Sequence, residues 1–145
     1  MERSWFAAHS LTDSAVTPEI RTARACYLYW SVVDCLFCRI VAGELPADIV
    51  YQDAEAIAFR DIQPQAPSHV LVLPREHVSG LDAAVSMRAD ALGGLFQVAA
   101  RVAEQEGLAD RGYRVVVNTG PDAQQSVGHL HIHVIGGRQM GWPPG

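Results

Sequence analysis

The sequence lacks a long apolar run, and this absence excludes a transmembrane helix. The run over residues 25–33 ends at Asp34, well short of the roughly 20 apolar residues that span a bilayer. The N-terminus, where Glu2 lies beside Arg3, does not match the basic start of a secretory leader. We therefore expect a cytoplasmic protein that has no membrane partner.

Clustered basic residues are also missing, which excludes a protein that coats nucleic acid. The formal net charge is -5 at pH 7, whereas affinity for a phosphate polyanion requires clustered Lys and Arg. A small nucleotide needs only local hydrogen-bond donors for its phosphate, so it remains a candidate ligand. We therefore expect no nucleic-acid partner.

The length and composition indicate one domain. The chain has 145 residues, of which 49% are hydrophobic, enough for a single core. Residues 1–33 show no sustained period, and we predict that they form a poorly ordered N-terminal extension. Residues 34–145 are predicted to form the domain.

Turn signals after residue 34 separate short β-prone segments. Strands are predicted over 49–51, 56–59, 69–73, 113–117 and 127–135. Apolar residues at three- and four-residue steps between Ala83 and Glu106 predict one amphipathic helix. The pair Gly93-Gly94 either weakens this prediction slightly or indicates close packing. Because strands outnumber helices, we expect an antiparallel α+β domain and not a doubly wound parallel sheet.

Three histidines alternate near the end of the chain, at His129, His131 and His133. Side chains at alternate positions of a strand share a face, so the three imidazoles are expected to line one surface, with the intervening apolar residues on the other. They could be structural fillers, ligands of a catalytic metal, or a nucleophile that attacks phosphorus. The polar loop from Asn118 to Ser126 favours the nucleophile because its amides and hydroxyls suit phosphate oxygens, although such loops also form ordinary hairpin connections.

The cysteines suggest a metal clip. Cys35 and Cys38 are separated by two residues, and Cys26 is left as a spare thiol. This odd set favours a metal site in a reducing compartment over a disulfide framework, and two free thiols are the alternative.

Four further blocks occur in the order found in one family. They are Asp-Ile-Gln-Pro-Gln-Ala-Pro-Ser-His at 61–69, Gly-Tyr-Arg-Val-Val-Val-Asn at 112–118, Gln-Ser-Val at 125–127 and the tail at 136–145 that ends in Trp-Pro-Pro-Gly. With the three histidines, these blocks resemble the histidine triad (HIT) family, in its branch of histidine triad nucleotide-binding proteins or purine nucleoside phosphoramidases. The resemblance covers residue 34 to the C-terminus.

The resemblance implies a HIT-like fold, in which a five-stranded antiparallel sheet carries one long and one short helix. It also implies a homodimer whose seam is formed by the long helix and strands. In such proteins the C-terminal tail lies near the partner's active site, so Trp142 is expected to influence the choice of leaving group.

The activity implied by the resemblance is hydrolysis of purine nucleoside 5′-phosphoramidates, of the AMP-amine or aminoacyl-AMP type, without a catalytic metal. His131 matches the nucleophile that becomes nucleotidylated. His133 and Asn118 match residues that contact the phosphate, and Ser126 matches a donor beside the leaving group. The backbone near Gln125 and Ser126 is expected to stabilise the phosphate oxygens.

The resemblance also implies a nucleoside pocket for a purine nucleotide such as AMP or GMP. Asp61 matches the carboxylate that binds the ribose hydroxyls; considered alone, it could equally cap a turn. The apolar residues that match the base pocket, each of which could otherwise be plain core, are Leu36, Phe37, Ile40, Phe59, Ile62 and Leu71.

A structural zinc site follows from the same resemblance. The implied ligands are the two cysteines with His69 and the first histidine of the triad, so the set is Cys35, Cys38, His69 and His129. This set leaves His131 free for catalysis. His9 and His77 are interpreted as surface or structural residues.

Two positions depart from the family pattern. Gln124 stands where the family usually has glycine, and Gly128 replaces a commonly aromatic position. A side chain at residue 124 constrains the loop if that backbone needs positive φ, so rate or substrate range is expected to differ. The alternatives are a dinucleoside polyphosphate hydrolase or nucleotidyl transferase of the same family, and a non-catalytic nucleotide-binding scaffold stabilised by zinc.

Overall fold

The computed structural model describes residues 34–144. In chain order the elements are α1 (Leu36–Val41), β1 (Ile49–Gln52), β2 (Ala56–Arg60), β3 (Ser68–Pro74), a 3-10 turn (Ala83–Ser86), α2 (Ala89–Gln105), β4 (Tyr113–Val116) and β5 (Ile132–Gly136). The predictions for residues 1–33, including Cys26 and His9, lie outside the described residues.

The five strands form one antiparallel sheet in the order β1-β2-β3-β5-β4. The central strand β3 places Leu71 opposite His133 and His69 opposite Ile135. One long and one short helix accompany the sheet, which confirms the predicted α+β class and its HIT-like architecture.

Alternation along the strands divides the core into two layers. On one face, Val70 and Val72 pack with Ile132 and Val134 beneath α2. On the other face, a smaller cluster contains Cys35, Phe37, Ile57, Phe59, Leu71 and Leu73, so α1 covers the side of the sheet that also carries the histidines.

The long helix begins six residues later than predicted. Met87 and Arg88 are extended, with ψ of 153° and 140°, so Ala83–Ser86 forms a separate 3-10 turn. The helix continues through Gly93-Gly94, and no close packing occurs there within residues 34–144, because a Cβ added at either residue would meet nothing within 4 Å.

The last strand is shorter than predicted, since β5 starts at Ile132. The predicted division of side chains nevertheless holds upstream of β5. Leu130 is buried in the α2-side core, whereas the rings of His129 and His131 contact Phe37 on the opposite face.

None of the helices within residues 34–144 combines the length and the apolar character that a membrane crossing requires.

Candidate functional site

A cavity of about 260 Å³ opens between α1 and the ends of β2, β3 and β5. Ten of the residues singled out from the sequence line it: Leu36, Phe37, Ile40, Phe59, Asp61, Ile62, Leu71, Ser126, His131 and His133. Its walls are mostly apolar and carry a few polar groups, as in sites for small ligands.

His131 is held in one tautomer. Its Nδ1 lies 2.7 Å from the carbonyl oxygen of His129, and because a carbonyl only accepts, Nδ1 must carry the proton. Nε2 therefore keeps its lone pair. Burial lowers the pKa of His131, although the bond to the His129 carbonyl and the charge of Asp61 oppose this, so the ring is a neutral nucleophile at physiological pH.

A chain of hydrogen bonds fixes the tautomers of the next two histidines. The backbone N–H of Gln65 donates to Nδ1 of His69 at 3.1 Å, so Nε2 of His69 carries the proton and donates to Nδ1 of His133 at 2.8 Å. Nε2 of His133 must then carry a proton of its own. This buried N–H has no partner among the described residues.

An unpartnered buried donor in a cavity wall indicates a ligand with an acceptor there, because leaving it unpaired is costly. Burial, with smaller effects from His131 and His69, lowers the pKa of His133 to about 4. His133 therefore offers a neutral N–H to an incoming oxygen. Nε2 of His69 also lies 3.5 Å from Oδ2 of Asp61, and this contact helps to fix the position of His69.

Asp61 caps a turn and lines the cavity, and its contact with ribose hydroxyls stays a prediction. Oδ1 accepts the backbone N–H of Gln63 at 2.8 Å, which is a turn-capping bond, while the residue also lines the cavity. Beside it, Ile62 is 92% exposed at the cavity rim. Leu36, which is 43% exposed, also lines the cavity, so two of its apolar side chains are exposed.

The loop before the histidines is pinned to the segment after β3 by Gln125. Its amide oxygen accepts the N–H of Gly120 at 3.1 Å, and its amide nitrogen donates to the carbonyls of Ser79 and Val127. Its backbone N–H donates to the Gly120 carbonyl. These bonds give Gln125 a framework role. Ser126 alone of this pair lines the cavity, and the contact of Gln125 with the nucleotide stays a prediction.

Asn118 is half-buried on the same loop and is not among the residues that line the cavity, so its phosphate contact stays a prediction. The neighbouring Thr119 was missed. Its hydroxyl is buried and has no hydrogen-bond partner within residues 34–144, and no sequence signal distinguished it from its neighbours.

A second polar cluster lies behind the cavity and contains Cys35, Cys38, His77 and His129. Nδ1 of His129 lies 3.6 Å from the sulfurs of both cysteines, and Nδ1 of His77 lies 3.2 Å from that of Cys38. The carbonyl of Pro74 accepts the proton of His129 Nε2 at 2.9 Å. The lone pair of His129 Nδ1 therefore points at the thiols.

This donor set fits zinc. Two sulfurs and two neutral imidazoles are a common structural zinc set, and tetrahedral bonds of about 2.3 Å and 2.0 Å separate sulfur from nitrogen by about 3.5 Å. Burial lowers the pKa of His129 to about 4, which favours the neutral ligand form. Burial and then Cys35 raise the pKa of Cys38 to about 11, so a cation would be needed to hold the thiolate.

The prediction that His69 is a zinc ligand is wrong, and His77 occupies its place in the cluster. His69 lies near the start of β3, whereas the cluster adjoins Pro74 at the end of β3. Five residues of strand span about 17 Å. The sequence offered His77 as a candidate, but only the return of the chain after β3 shows that it faces the cysteines.

Asp61, His69 and His133 also lie close enough to hold an ion. Their hydrogen bonds argue against it. Nδ1 of His69 accepts from the Gln65 backbone, so Nε2 carries a proton and has no lone pair for a metal. If the proton of His69 moved from Nε2 to Nδ1, the Nδ1–H would face the backbone N–H of Gln65. The described residues therefore favour a hydrogen-bond relay here.

A larger cavity, of about 520 Å³, lies between the β1–β2 turn, the segment after β3 and the start of α2. His77 is the one member of the two histidine clusters that lines it. We assign the candidate active site to the smaller cavity because His131, with its free Nε2, and His133, with its unpartnered N–H, both line it.

Comparison with known proteins gives the same relationship. Residues 42–140 match the model of the HIT domain. The chain is 51% identical over 112 residues to the 14 kDa zinc-binding protein of Zea mays, covering 76% of this chain and 87% of that protein. It is 49% identical to the adenylylsulfatase HINT1 of Arabidopsis thaliana, with 76% of each chain covered.

Solved structures agree. The HIT family hydrolase of Legionella pneumophila superposes with a TM-score of 0.75 at 44% identity, over 77% of this chain and 100% of that one. The histidine triad nucleotide-binding protein of Candida albicans gives a TM-score of 0.66 at 32% identity, over 76% and 83% of the two chains. The predicted resemblance is confirmed, and the chain belongs to the HIT domain family.

Proposed function

We propose that this protein is a nucleotide hydrolase that cleaves purine nucleoside 5′-phosphoramidates through a covalent nucleotidyl-histidine. The observation that carries the proposal is the tautomer of His131, whose Nδ1 is bound to the His129 carbonyl. A neutral imidazole with a free Nε2 in a cavity wall is an activated nitrogen nucleophile. The proposal extends to aminoacyl adenylates, which share the phosphorus centre.

In the first half of the reaction, Nε2 of His131 forms a bond to phosphorus as the bond from phosphorus to the amine breaks. The amine leaves with a proton, for which Ser126 is the proposed donor. The Nε2–H of His133 donates to a phosphate oxygen, since this group is buried and lacks another partner. Because His69 fixes the tautomer, that donor is in place before the charge develops.

In the second half, water attacks phosphorus and the bond from phosphorus to His131 breaks. The nucleoside monophosphate leaves, and the proton of water restores the donor. The cavity residues bind the rest of the substrate: Asp61 takes the ribose hydroxyls, while Phe37, Phe59 and Leu71 enclose the base.

Zinc is proposed for Cys35, Cys38, His77 and His129, where it would join α1 to the segments after β3 and before β5. Its contribution would be structural, since four protein ligands close a tetrahedral site. The relative from Zea mays is named as a zinc-binding protein, and the donor set described above supports the same metal here.

A homodimer is also proposed. Phe96 on α2 and Val115 on the edge strand β4 are 46% and 36% exposed, and nothing covers Gly93 on the same helix. A Val115→Arg variant should sediment as a monomer, whereas Val85→Arg, at a residue 90% exposed on the 3-10 turn, should not. Monomeric wild-type protein would refute the dimer.

A second candidate substrate is adenylyl sulfate, because the relative from Arabidopsis thaliana is named as an adenylylsulfatase. The same attack on phosphorus would expel sulfate in place of an amine, so Asp61 and His131 would keep their roles. The difference would lie at the leaving group, beside Ser126.

The test is a comparison of three substrates with purified protein: a fluorogenic AMP-phosphoramidate, adenylyl sulfate and a diadenosine polyphosphate. We expect the phosphoramidate to give the highest kcat/KM and His131→Ala to lose activity by a factor of about 10⁴ or more. Preference for the dinucleotide would replace the proposal with the polyphosphate hydrolase. Nucleotide binding without turnover would indicate the scaffold.

A further inference from the structure

Phe37 occupies the space between the metal cluster and the nucleophile. It lies in α1 between Cys35 and Cys38 and is 6% exposed. Its ring centroid is 5.2 Å from that of His131 and 6.0 Å from that of His129, both in edge-to-face contacts. One side chain therefore packs against a cluster ligand and against the nucleophile.

The backbone provides a second link over the same distance. His129 points Nδ1 at the two thiols, while its carbonyl accepts the Nδ1–H of His131 at 2.7 Å. The residue that would hold the metal thus also sets the tautomer of the nucleophile. A shift of His129 would disturb the bond on which the free Nε2 of His131 depends.

The position of α1 needs support from outside the helix. It has only six residues, and Cys35 makes no side-chain capping bond at its start. Helices this short are not stable in isolation. Packing of Phe37, Ile40 and Val41 against the core and the contacts of the two cysteines hold α1 in place.

We propose that Phe37 is a positioning residue that couples the state of the cysteine–histidine cluster to the alignment of His131. With the cluster closed by metal, α1 presses the Phe37 ring against the His131 ring and keeps Nε2 directed into the cavity. With the cluster open, the ring contact loosens and His131 samples orientations that cannot attack. This role is additional to any contact of Phe37 with the base, and for its effect on turnover it depends on the proposed function.

The first test compares Phe37→Leu with Phe59→Leu. Both residues line the cavity and contact each other at 5.6 Å, but the structure gives a ring contact to His131 for Phe37 and none for Phe59 within residues 34–144. Both variants should raise KM. Only Phe37→Leu should also lower kcat, by roughly tenfold, as expected from a misaligned reacting group. Equal kcat values in the two variants would overturn the proposal.

The second test removes metal from wild type and Phe37→Leu with a chelator and measures kcat and the ¹⁵N resonances of His131. Metal removal should lower kcat in wild type and convert a pure Nδ1–H tautomer to a mixture. In Phe37→Leu both effects should be much smaller, because coupled changes are not additive. Equal losses in both proteins would refute transmission through Phe37. If the metal-free protein unfolds, the comparison of Phe37→Leu with Phe59→Leu still decides.

The ¹⁵N measurement separates this proposal from the proposed function. If no substrate is hydrolysed but the His131 tautomer changes in Phe37→Leu and not in Phe59→Leu, the coupling through Phe37 is supported and the proposed phosphoramidase activity is refuted. If the phosphoramidate is hydrolysed but neither variant changes the tautomer, the coupling fails and the activity stands.

Discussion

At the scale of single residues, the strained backbone of Gln124 shows what the departure from the family pattern does. Its φ is +59°, and among residues 34–144 it is the one non-glycine residue with positive φ. This conformation costs a side-chain-bearing residue about 1–2 kcal/mol. The expectation that a glutamine here constrains the loop next to Ser126 thus has a physical basis, while its effect on rate stays a prediction.

Gln124→Gly should raise the free energy of unfolding by about 0.5–1 kcal/mol, since relief of strain exceeds the added freedom of glycine in the unfolded chain. Ala123→Gly is the matched control, because its φ is not positive, and it should lower the same free energy by a similar amount. Urea denaturation measures both. A loss of stability in both variants would show that Gln124 is not strained.

A second prediction concerns His69, which the sequence suggested as a zinc ligand, and His77, which the structure places in the cluster instead. His77→Ala should lower bound zinc to well under one equivalent, because it removes a direct ligand. His69→Ala should keep one equivalent and lower kcat instead, because Nδ1 of His133 loses its donor. Metal analysis by mass spectrometry decides, and retention of zinc in His77→Ala with loss in His69→Ala would restore the original assignment.

At the scale of elements, the sequence predicted which segments form strands and which face of the last strand carries the histidines. It did not predict where the helices and strands begin and end. Turn signals on either side located β2 and β3, which are continuous runs buried along most of their length. The start of α2 was misplaced because the apolar spacing continues through Ala83–Ser86, and nothing local signals the extended pair before Ala89. The partners of His77 and Gln125 were not predictable either, since each depends on where the chain returns after β3.

The end of α2 is joined to the sheet by a bidentate ion pair. Arg60 on β2 donates to both oxygens of Glu106, at 2.6 Å and 2.8 Å, and the Ser68 hydroxyl donates to one of them at 3.0 Å. Arg60 and then Ser68 lower the pKa of Glu106 against the effect of burial. These bonds anchor the helix beside the strand that leads to Asp61.

Glu106→Gln should lower the free energy of unfolding by about 1 kcal/mol, less than a fully buried charged pair because Arg60 is half-exposed. Glu44→Gln is the control, since its pair with Arg39 is exposed on both sides and should contribute under about 0.5 kcal/mol. Thermal and chemical denaturation measure the difference. Equal effects would show that the pair does not anchor the helix.

At the scale of the whole molecule, the buried histidines couple stability to pH. Burial lowers the pKa of His133 from the ordinary value near 6.5 to about 4 and also lowers the pKa of His131. In the unfolded chain these groups take up protons as the pH falls below 6.5, whereas in the folded protein they do so at lower pH, near 4 for His133. The unfolded state therefore binds more protons in this window, and acid favours it.

The free energy of unfolding should be nearly constant above pH 7 and should fall as the pH is lowered from about 6.5 to about 4. His133→Asn should reduce the slope in this window, by up to one proton, because one shifted group is removed. Urea midpoints across the range test this. A stability that rises on acidification from pH 6.5 to 5 would contradict the neutral, buried state assigned to these rings.

The central claim is that Nε2 of His131 forms a bond to phosphorus, and rapid quenching during turnover tests it most directly. The protein is mixed with AMP-phosphoramidate, quenched within milliseconds and examined by intact-mass and peptide mass spectrometry. We predict a single added nucleotidyl group on His131 that disappears as AMP is released and that is absent from His131→Ala. AMP release by His131→Ala at the wild-type rate, or an adduct on another residue, would contradict the account.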